Sequence, residues 1–247
     1  MLHVHRVQKS YRKGGMLSRE KKQVLHGISF DWMPGECLGV IGESGSGKST
    51  LARLLLGIEK PDGGTVRFDG RNVADRKARL GKISAVFQDY TSSMNPFYTV
   101  EKIVLEPLTT RYGRHFNHHG KIDSLLFQVG LDPAYRVKYP HELSGGEAQR
   151  VCIARAVAAE PQCIVLDEAI SSLDGSVQVQ VLDLLKDLRK LYGMGYIFIT
   201  HDIEAAAYLC DRVMFIREGR LEEMIGVNRL KEVQSPYAQH MLKMVIR

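Results

Sequence analysis

No stretch of this 247-residue sequence approaches the ~18 consecutive apolar residues of a membrane-spanning helix, so no part of it is expected to cross a bilayer. The start, Met1-Leu2-His3-Val4-His5-Arg6, lacks the apolar run of a secretory signal and alternates like a strand. Cysteine is scarce and scattered. Cys37, Cys152, Cys163 and Cys210 form no C-x-x-C pair, which argues against a zinc or iron–sulfur site. Three of them sit in apolar runs, as core thiols in a reducing compartment would. There are no internal repeats, low-complexity segments or sustained heptads. The net charge of +6 suits anionic partners, but an even scatter of solvated Lys and Arg gives the same total. With 44% hydrophobic and 25% charged residues the composition is that of a globular protein. The length suffices for one large domain, or one domain with a subdomain.

Against this background one stretch stands out. Gly42-Glu43-Ser44-Gly45-Ser46-Gly47-Lys48-Ser49-Thr50 matches G-x-x-x-x-G-K-[ST], the P-loop pattern. Cys37–Ile41 before it reads as a short buried strand, and Leu51–Leu56 after it as the first turns of a helix. The glycines let backbone N–H groups turn inward around a phosphate, and the helix start adds about half a positive charge there. Lys48 can reach the β- and γ-phosphates and the Ser49 hydroxyl can hold Mg²⁺. Nucleoside triphosphate binding follows from these residues.

Taken in order, Leu2–Gln8 reads as a strand running on to Tyr11, whose ring could stack on adenine. Arg12–Lys22 is polar and glycine-bearing and reads as an exposed loop, and Val24–Trp32 as a strand closed by Pro34-Gly35. Thr65–Phe68 and Ile83–Phe87 are further strands, the second ending at Gln88. From about Asn95 strand-like runs disappear. Thr99–Thr110 and Gly120–Val129 look helical, and a long helix is expected from about Gly146 to Ala159. This predicts a helical subdomain, about 95–160, inserted in an α/β core. Cys163–Leu166 is a buried strand ending in Asp167-Glu168. Helix (Val177–Tyr192), strand (Tyr196–Thr200), helix (Ile203–Leu209) and strand (Arg212–Ile216) follow, with a terminal helix over 236–246. Such alternation predicts a mostly parallel sheet.

Leu143-Ser144-Gly145-Gly146-Glu147 precedes a helix and offers a second phosphate cradle, although an ordinary glycine cap would read similarly. One chain rarely needs two cradles for one triphosphate. This segment resembles the signature motif of the ATP-binding cassette (ABC) ATPases. The resemblance covers nearly the whole chain, with its motifs in the family's order. It implies the P-loop NTPase ABC fold, with a mostly parallel core sheet, an N-terminal antiparallel β-subdomain and the inserted helical subdomain, over a single domain 1–247. It also implies that Ser144, Gly145, Gly146 and Glu147 of one cassette close on ATP held by Gly42–Thr50 of another.

Further roles follow from the same resemblance. Asp167 would hold Mg²⁺ with Ser49 and Gln88, and Glu168 would orient or deprotonate the attacking water. His201 resembles the switch histidine on the γ-phosphate, Ser171-Ser172-Leu173-Asp174 the D-loop that crosses the dimer interface, and Tyr11 the adenine-stacking aromatic. Lys48, Gln88, Glu168 and His201 are thus the expected catalytic set, with ATP and Mg²⁺ as cofactors. Glu147 departs from the commoner glutamine, and little loss is expected from it.

A separate cassette resembles a bacterial importer subunit. Phe87-Gln88-Asp89 with Ser93-Met94-Asn95-Pro96, and Ser235-Pro236-Tyr237, are similar to segments of the peptide/nickel importer family. Leu166–Asp174 and Arg150–Ala156 look nearest to the second ATPase of nickel or opine-metallophore systems. That resemblance implies two permeases, a second and different ATPase, an extracytoplasmic binding protein and a place on the cytoplasmic face of the cell membrane. The cargo would be nickel-type metal ions or their chelates. A peptide importer and a soluble mechanical ATPase acting on nucleic acid are the alternatives. His115, His118 and His119 are read as part of a solvated loop rather than a metal site, and no domain is expected beyond Leu242.

Overall fold

The computed structural model describes residues 1–12, 20–89, 92–113, 119–171 and 173–245. The elements in chain order are β1 (Leu2–Arg12), β2 (Lys21–Trp32), β3 (Cys37–Ile41), α1 (Lys48–Leu55), β4 (Gly63–Phe68), β5 (Arg71–Asn72), α2 (Arg76–Arg79), β6 (Ile83–Phe87), α3 (Val100–Tyr112), α4 (His119–Gln128), α5 (Gly145–Ala158), β7 (Cys163–Asp167), α6 (Gly175–Tyr192), β8 (Gly195–Thr200), α7 (Ile203–Leu209), β9 (Arg212–Arg217), β10 (Arg220–Gly226) and α8 (Pro236–Val245). Among the described residues no helix is long and apolar enough to cross a membrane. The chain divides into two compact units, Met1–Leu80 with Tyr196–Arg247, and Gly81–Gly195.

In the first unit β2-β1-β4-β5 form an antiparallel sheet, as expected of an N-terminal β-subdomain. Leu2 pairs with Trp32 on one side and Phe68 on the other, and all three are buried. The Trp32 and Phe68 rings stack 6.3 Å apart. Trp32 Nε1 donates to the carbonyls of Glu36 (2.9 Å) and Tyr196 (3.1 Å), so the buried indole is satisfied. Lys21 and Lys22 pair with Arg12 and Tyr11, so β2 starts inside the loop expected over Arg12–Lys22 and before the expected strand start at Val24. Residues 13–19 of that loop lie outside the described ones.

Pro34-Gly35 makes a type II turn, with Gly35 at φ 77° and Glu36 N donating to Met33 O at 3.0 Å. It delivers the chain into β3, whose five residues are all buried. β3 pairs in parallel with β8 and with β9, which is why it reads as a continuous apolar run. Asp211 pins its start, with Cys37 N donating to Asp211 Oδ2 and Asp211 N to Cys37 O, both at 2.8 Å. All four cysteines are buried, and the Cys37 and Cys210 sulfurs lie 3.4 Å apart.

Three elements of this unit have no counterpart in the sequence reading: β5, α2 and β10. β9 and β10 form a hairpin through Glu218 (φ 47°) and Gly219 (φ 72°), a type I′ turn. The Glu-Gly pair lacks the Asn or Asp that usually marks this turn, and β10 has no fully buried residue to reveal its period.

The second unit holds β6 and β7, paired in parallel from Ile83↔Cys163 to Phe87↔Asp167, and helices α3 to α6. Val100, Ile103, Val104 and Leu108 bury one face of α3, which packs on α5. The expected helices appear within one or two residues of their anticipated ends. The compact unit, 81–195, is nevertheless wider than the helical segment 95–160, because it includes β6, β7 and α6. His115 and His118 lie outside the described residues, and His119 begins α4.

Candidate functional site

The P-loop lies in the first unit, between β3 and α1. Lys48 is only 6% exposed, and its ammonium donates to Gly42 O at 2.6 Å and Glu43 O at 3.0 Å. Ser46 N donates to Glu43 O at 3.2 Å, and Leu51 N makes the first helical bond to Gly47 O at 2.9 Å. Gly47 caps α1 at φ 103°, which an L side chain rarely adopts. Among the described residues the buried Ser46 hydroxyl has no hydrogen-bond partner, an arrangement that costs ~1–3 kcal/mol unless a further polar atom meets it. Phosphate oxygens suit that position. Glu43, Ser44, Gly45 and Ser49 are exposed, and Thr50 Oγ1 accepts from Arg53 at 3.4 Å.

Two supports of this loop come from far along the chain. Gly219 N, in the β9–β10 hairpin, donates to Ser46 O at 2.9 Å. Gly42 packs so closely on β9 that an added Cβ would lie 2.3 Å from Ile216 O. Neither carries a sequence signal: the first depends on the unforeseen β9–β10 hairpin, the second on the close pairing of β3 with β9.

Ile41 and Thr200 are paired across β3 and β8, so Gly42 and His201 follow adjacent strand ends. His201 is exposed. The turn carrying it is built by Thr200 Oγ1, which accepts from Asp202 N, and Asp202 Oδ1, which caps α7 by accepting from Ala205 N, each at 3.0 Å. Tyr11, the last residue but one of β1, is half-buried. Its hydroxyl donates to Glu59 at 2.8 Å, and Lys9 Nζ sits 5.5 Å from its ring centre.

In the second unit the pair Phe87↔Asp167 brings Gln88 beside Asp167 and Glu168 at the C-terminal ends of β6 and β7. Ligands bind at such ends of parallel strands. Asp167 is buried, Gln88 is exposed and Glu168 is half-buried. Glu168 adopts φ 51°, left-handed for a residue with no preference for it. Its carbonyl accepts from Ser171 N at 3.2 Å and Ser171 Oγ at 2.9 Å, which holds the turn.

Ser144 caps α5 and Gly145 is its first residue. Ser144 Oγ accepts from Glu147 N at 3.4 Å while Glu147 Oε2 accepts from Ser144 N at 2.8 Å, a reciprocal capping box. Gly146 faces Val177 of α6, where a Cβ would lie 3.3 Å away. Glu147 also accepts from the Tyr135 hydroxyl, and this bond, with that from Ser144 N, holds its carboxyl below the usual range. The carboxylate is thus tied down on both oxygens. Asp174 is the exposed N-cap of α6, its carbonyl accepting from Gln178 N at 2.9 Å. Ser172 lies outside the described residues.

The sign of the Glu147 effect on stability is fixed. A carboxyl depressed in the folded state contributes fully above its unfolded pKa, near 4.5, and loses that contribution as pH falls through the folded value. Glu147→Gln keeps a capping oxygen but not the charge. Thermal melts at pH 7 and pH 4 are therefore expected to show a smaller acid-induced fall in Tm for Glu147→Gln than for wild type. At pH 7 the variant should be within ~1 kcal/mol of wild type. Equal acid sensitivity would remove Glu147 from this role.

The chain thus carries a strand–glycine loop–helix unit, a capped Ser-Gly-Gly and an Asp-Glu pair beside a glutamine. The family model that matches residues 25–171 is that of the ABC transporters. The chain belongs to that family. It is an ABC ATPase, binding and hydrolysing ATP. The cassette is 46% identical over 244 residues to the metal-staphylopine import system ATP-binding protein CntF of Staphylococcus aureus, covering 98% of each chain. It is 41% identical over 255 residues to the nickel import ATP-binding protein NikE of Rhodospirillum rubrum, covering 100% of this chain and 91% of that one. Among solved structures it is similar to the dimeric cassette MJ0796 in a post-hydrolysis state with ADP and Pi. There the TM-score is 0.82 at 29% identity, over 92% of this chain and 99% of the other. The mixed α/β fold with antiparallel sheet and helical subdomain is the one the sequence predicts.

Proposed function

We propose that this cassette is the ATP-hydrolysing subunit of a membrane importer for nickel-type metal ions or their metallophore chelates. The observation that carries the cargo reading is the 46% identity, end to end, with a metal-staphylopine import ATPase. In this reading the cassette works at the cytoplasmic face of the membrane with two permeases, a second ATPase chain and an extracytoplasmic binding protein. Chain 1–247 acts as one nucleotide-binding domain.

Gly42–Thr50 hold the triphosphate, with Lys48 on the β- and γ-phosphates and Tyr11 against adenine. Ser144–Glu147 meet the nucleotide held by a partner cassette, and Asp174 lies at that interface. Ser49, Gln88 and Asp167 offer hydroxyl, amide and carboxylate oxygens, a hard donor set that fits Mg²⁺. When bound, the ion neutralises phosphate charge as the γ-phosphoryl group leaves. Glu168 orients the attacking water and takes its proton, and His201 donates to the γ-phosphate. ATP then biases closure of two cassettes, and hydrolysis reopens them.

The test is cell metal content by mass spectrometry under metal limitation, comparing wild type with Glu168→Gln. A selective fall in nickel, cobalt or zinc is expected. Unchanged metals with lost peptide uptake would overturn the cargo in favour of a peptide importer. Salt-sensitive DNA binding without membrane association would overturn the importer reading itself.

A further inference from the structure

The Ser235-Pro236-Tyr237 segment opens α8. In the structure it reaches the P-loop. Glu43 N donates to the Tyr237 hydroxyl at 3.1 Å. That N–H belongs to the peptide joining Gly42 to Glu43, and the other end of the same planar group is Gly42 O. Gly42 O is the acceptor, at 2.6 Å, for the Lys48 ammonium. A peptide plane is rigid, so fixing its N–H fixes its carbonyl. One plane is therefore gripped by Tyr237 on one side and grips Lys48 on the other.

The position of Tyr237 is itself determined. Glu223 on β10 accepts from Gln234 N at 2.9 Å and from Ser235 N at 2.8 Å, anchoring the chain just before α8. Ser235 Oγ accepts from Ala238 N at 3.4 Å as a helix cap. Pro236 takes the first helical position, where a missing N–H costs nothing. Tyr237 is then only 6% exposed, its ring faced by Arg217 at 5.4 Å. Burial raises its phenol above the usual range, so the hydroxyl stays neutral under ordinary assay conditions.

We propose that Tyr237 is a positioning residue for nucleotide binding, acting through the Gly42–Glu43 peptide to set Lys48. The inference rests on reading Gly42–Thr50 as the phosphate-binding loop. The C-terminal helix thus supports the nucleotide site through the Gly42–Glu43 peptide.

The experiment compares wild type, Tyr237→Phe and Lys48→Ala by ATP titration of hydrolysis, binding of a fluorescent ATP analogue and thermal melts. Tyr237→Phe keeps the ring against Arg217 and removes only the acceptor. Its KM for ATP should rise about three- to tenfold, the worth of one hydrogen bond, with kcat falling by less than KM rises. Hydrogen exchange at the Glu43 amide should quicken by a similar factor relative to wild type, and slow exchange there in wild type is itself required. A KM and analogue affinity within twofold of wild type overturn the proposal, whatever the melting temperature does. If Lys48→Ala also keeps its affinity, the P-loop reading fails with it. If Lys48→Ala loses affinity and Tyr237→Phe does not, only the role of Tyr237 fails. Should Tyr237→Phe not fold, fast exchange of the Glu43 amide in wild type still overturns the proposal.

Discussion

Replacing Glu168 with glutamine is expected to lower steady-state ATP hydrolysis by about 10²- to 10⁴-fold while leaving ATP binding within a few-fold of wild type. The size follows from the role proposed for Glu168: a general base would be removed and nothing else. The structure explains why so little else should change. Glu168 directly follows β7, beside the buried Asp167, in a left-handed conformation at φ 51°. Such a conformation costs ~1–2 kcal/mol for an L residue and persists only where surroundings impose it. Here the Glu168 carbonyl is held by Ser171 N and Ser171 Oγ, so the main chain is fixed by groups the substitution does not touch. Glutamine has the same shape and the same conformational preference, and the melting temperature should stay within ~2 °C. Phosphate release and fluorescent-nucleotide binding, measured on one preparation, check both halves. Hydrolysis above a tenth of wild type would take the catalytic base away from Glu168. Lost binding would instead make it a structural residue of the turn.

Parts of this architecture were legible because they are local. The run Cys37–Ile41, the glycines after it and the helix opened by Lys48 lie next to one another, so composition alone locates the loop. The strand ending at Asp167 and the cap at Ser144 are legible for the same reason. What sequence could not supply is the set of groups that hold these pieces from a distance. The amide of Gly219 on Ser46 and the hydroxyl of Tyr237 on Glu43 each join residues more than 150 positions apart. The hairpin carrying Gly219 was invisible because its turn is Glu-Gly and β10 shows no buried period. The left-handed backbone at Glu168 has no sequence mark either, since glutamate is not a residue chosen for that region. Glu147 is an intermediate case. Its departure from glutamine was visible, but its reason needed the Tyr135 hydroxyl and the capping box.

The helical subdomain is a related case. Its helices could be found from sequence, because their signals are local. Residues 95–160 are where strand-like runs vanish, yet the compact unit begins at Gly81 and ends at Gly195. The backbone shows why. Gln162 N and Cys163 N both donate to Lys82 O, at 2.9 and 3.1 Å, and β6 pairs along its length with β7. A strand on each side of the helices therefore falls in the same compact unit. Long-range pairing of this kind, which composition does not reveal, places β6 and β7 in the same compact unit as the helices.

The second large effect is expected at Gly42, where alanine should weaken ATP binding by more than tenfold and lower the melting temperature by about 3–10 °C. Backbone conformation is not the cause, because Gly42 is absent from the positive-φ glycines among the described residues. The cause is space. A Cβ there would lie 2.3 Å from Ile216 O and 2.7 Å from Ser46 Oγ, distances that require movement. Ile216 O belongs to a paired strand and cannot retreat, so the loop must. Overpacking of this kind costs ~1–3 kcal/mol, or about 2–4 °C per kcal/mol in a chain of this size. The displacement also has a direction. Moving Gly42 off β9 carries away the carbonyl that takes Lys48 Nζ at 2.6 Å and strains the Gly219 N–H to Ser46 O bond at 2.9 Å. The lysine, the buried Ser46 hydroxyl and the loop amides then lose their common register, and the phosphate cradle loses affinity faster than the fold loses stability. Gly45 provides the contrast. It is at φ 78° with nothing within 4 Å of its virtual Cβ, so alanine there carries the conformational penalty without the collision. Fluorescent-nucleotide titrations and melts of Gly42→Ala and Gly45→Ala separate the two causes. Gly42→Ala should lose more affinity for each degree of melting temperature than Gly45→Ala. If the two fall on one line, stability alone governs binding, and close packing on β9 is not what shapes the loop.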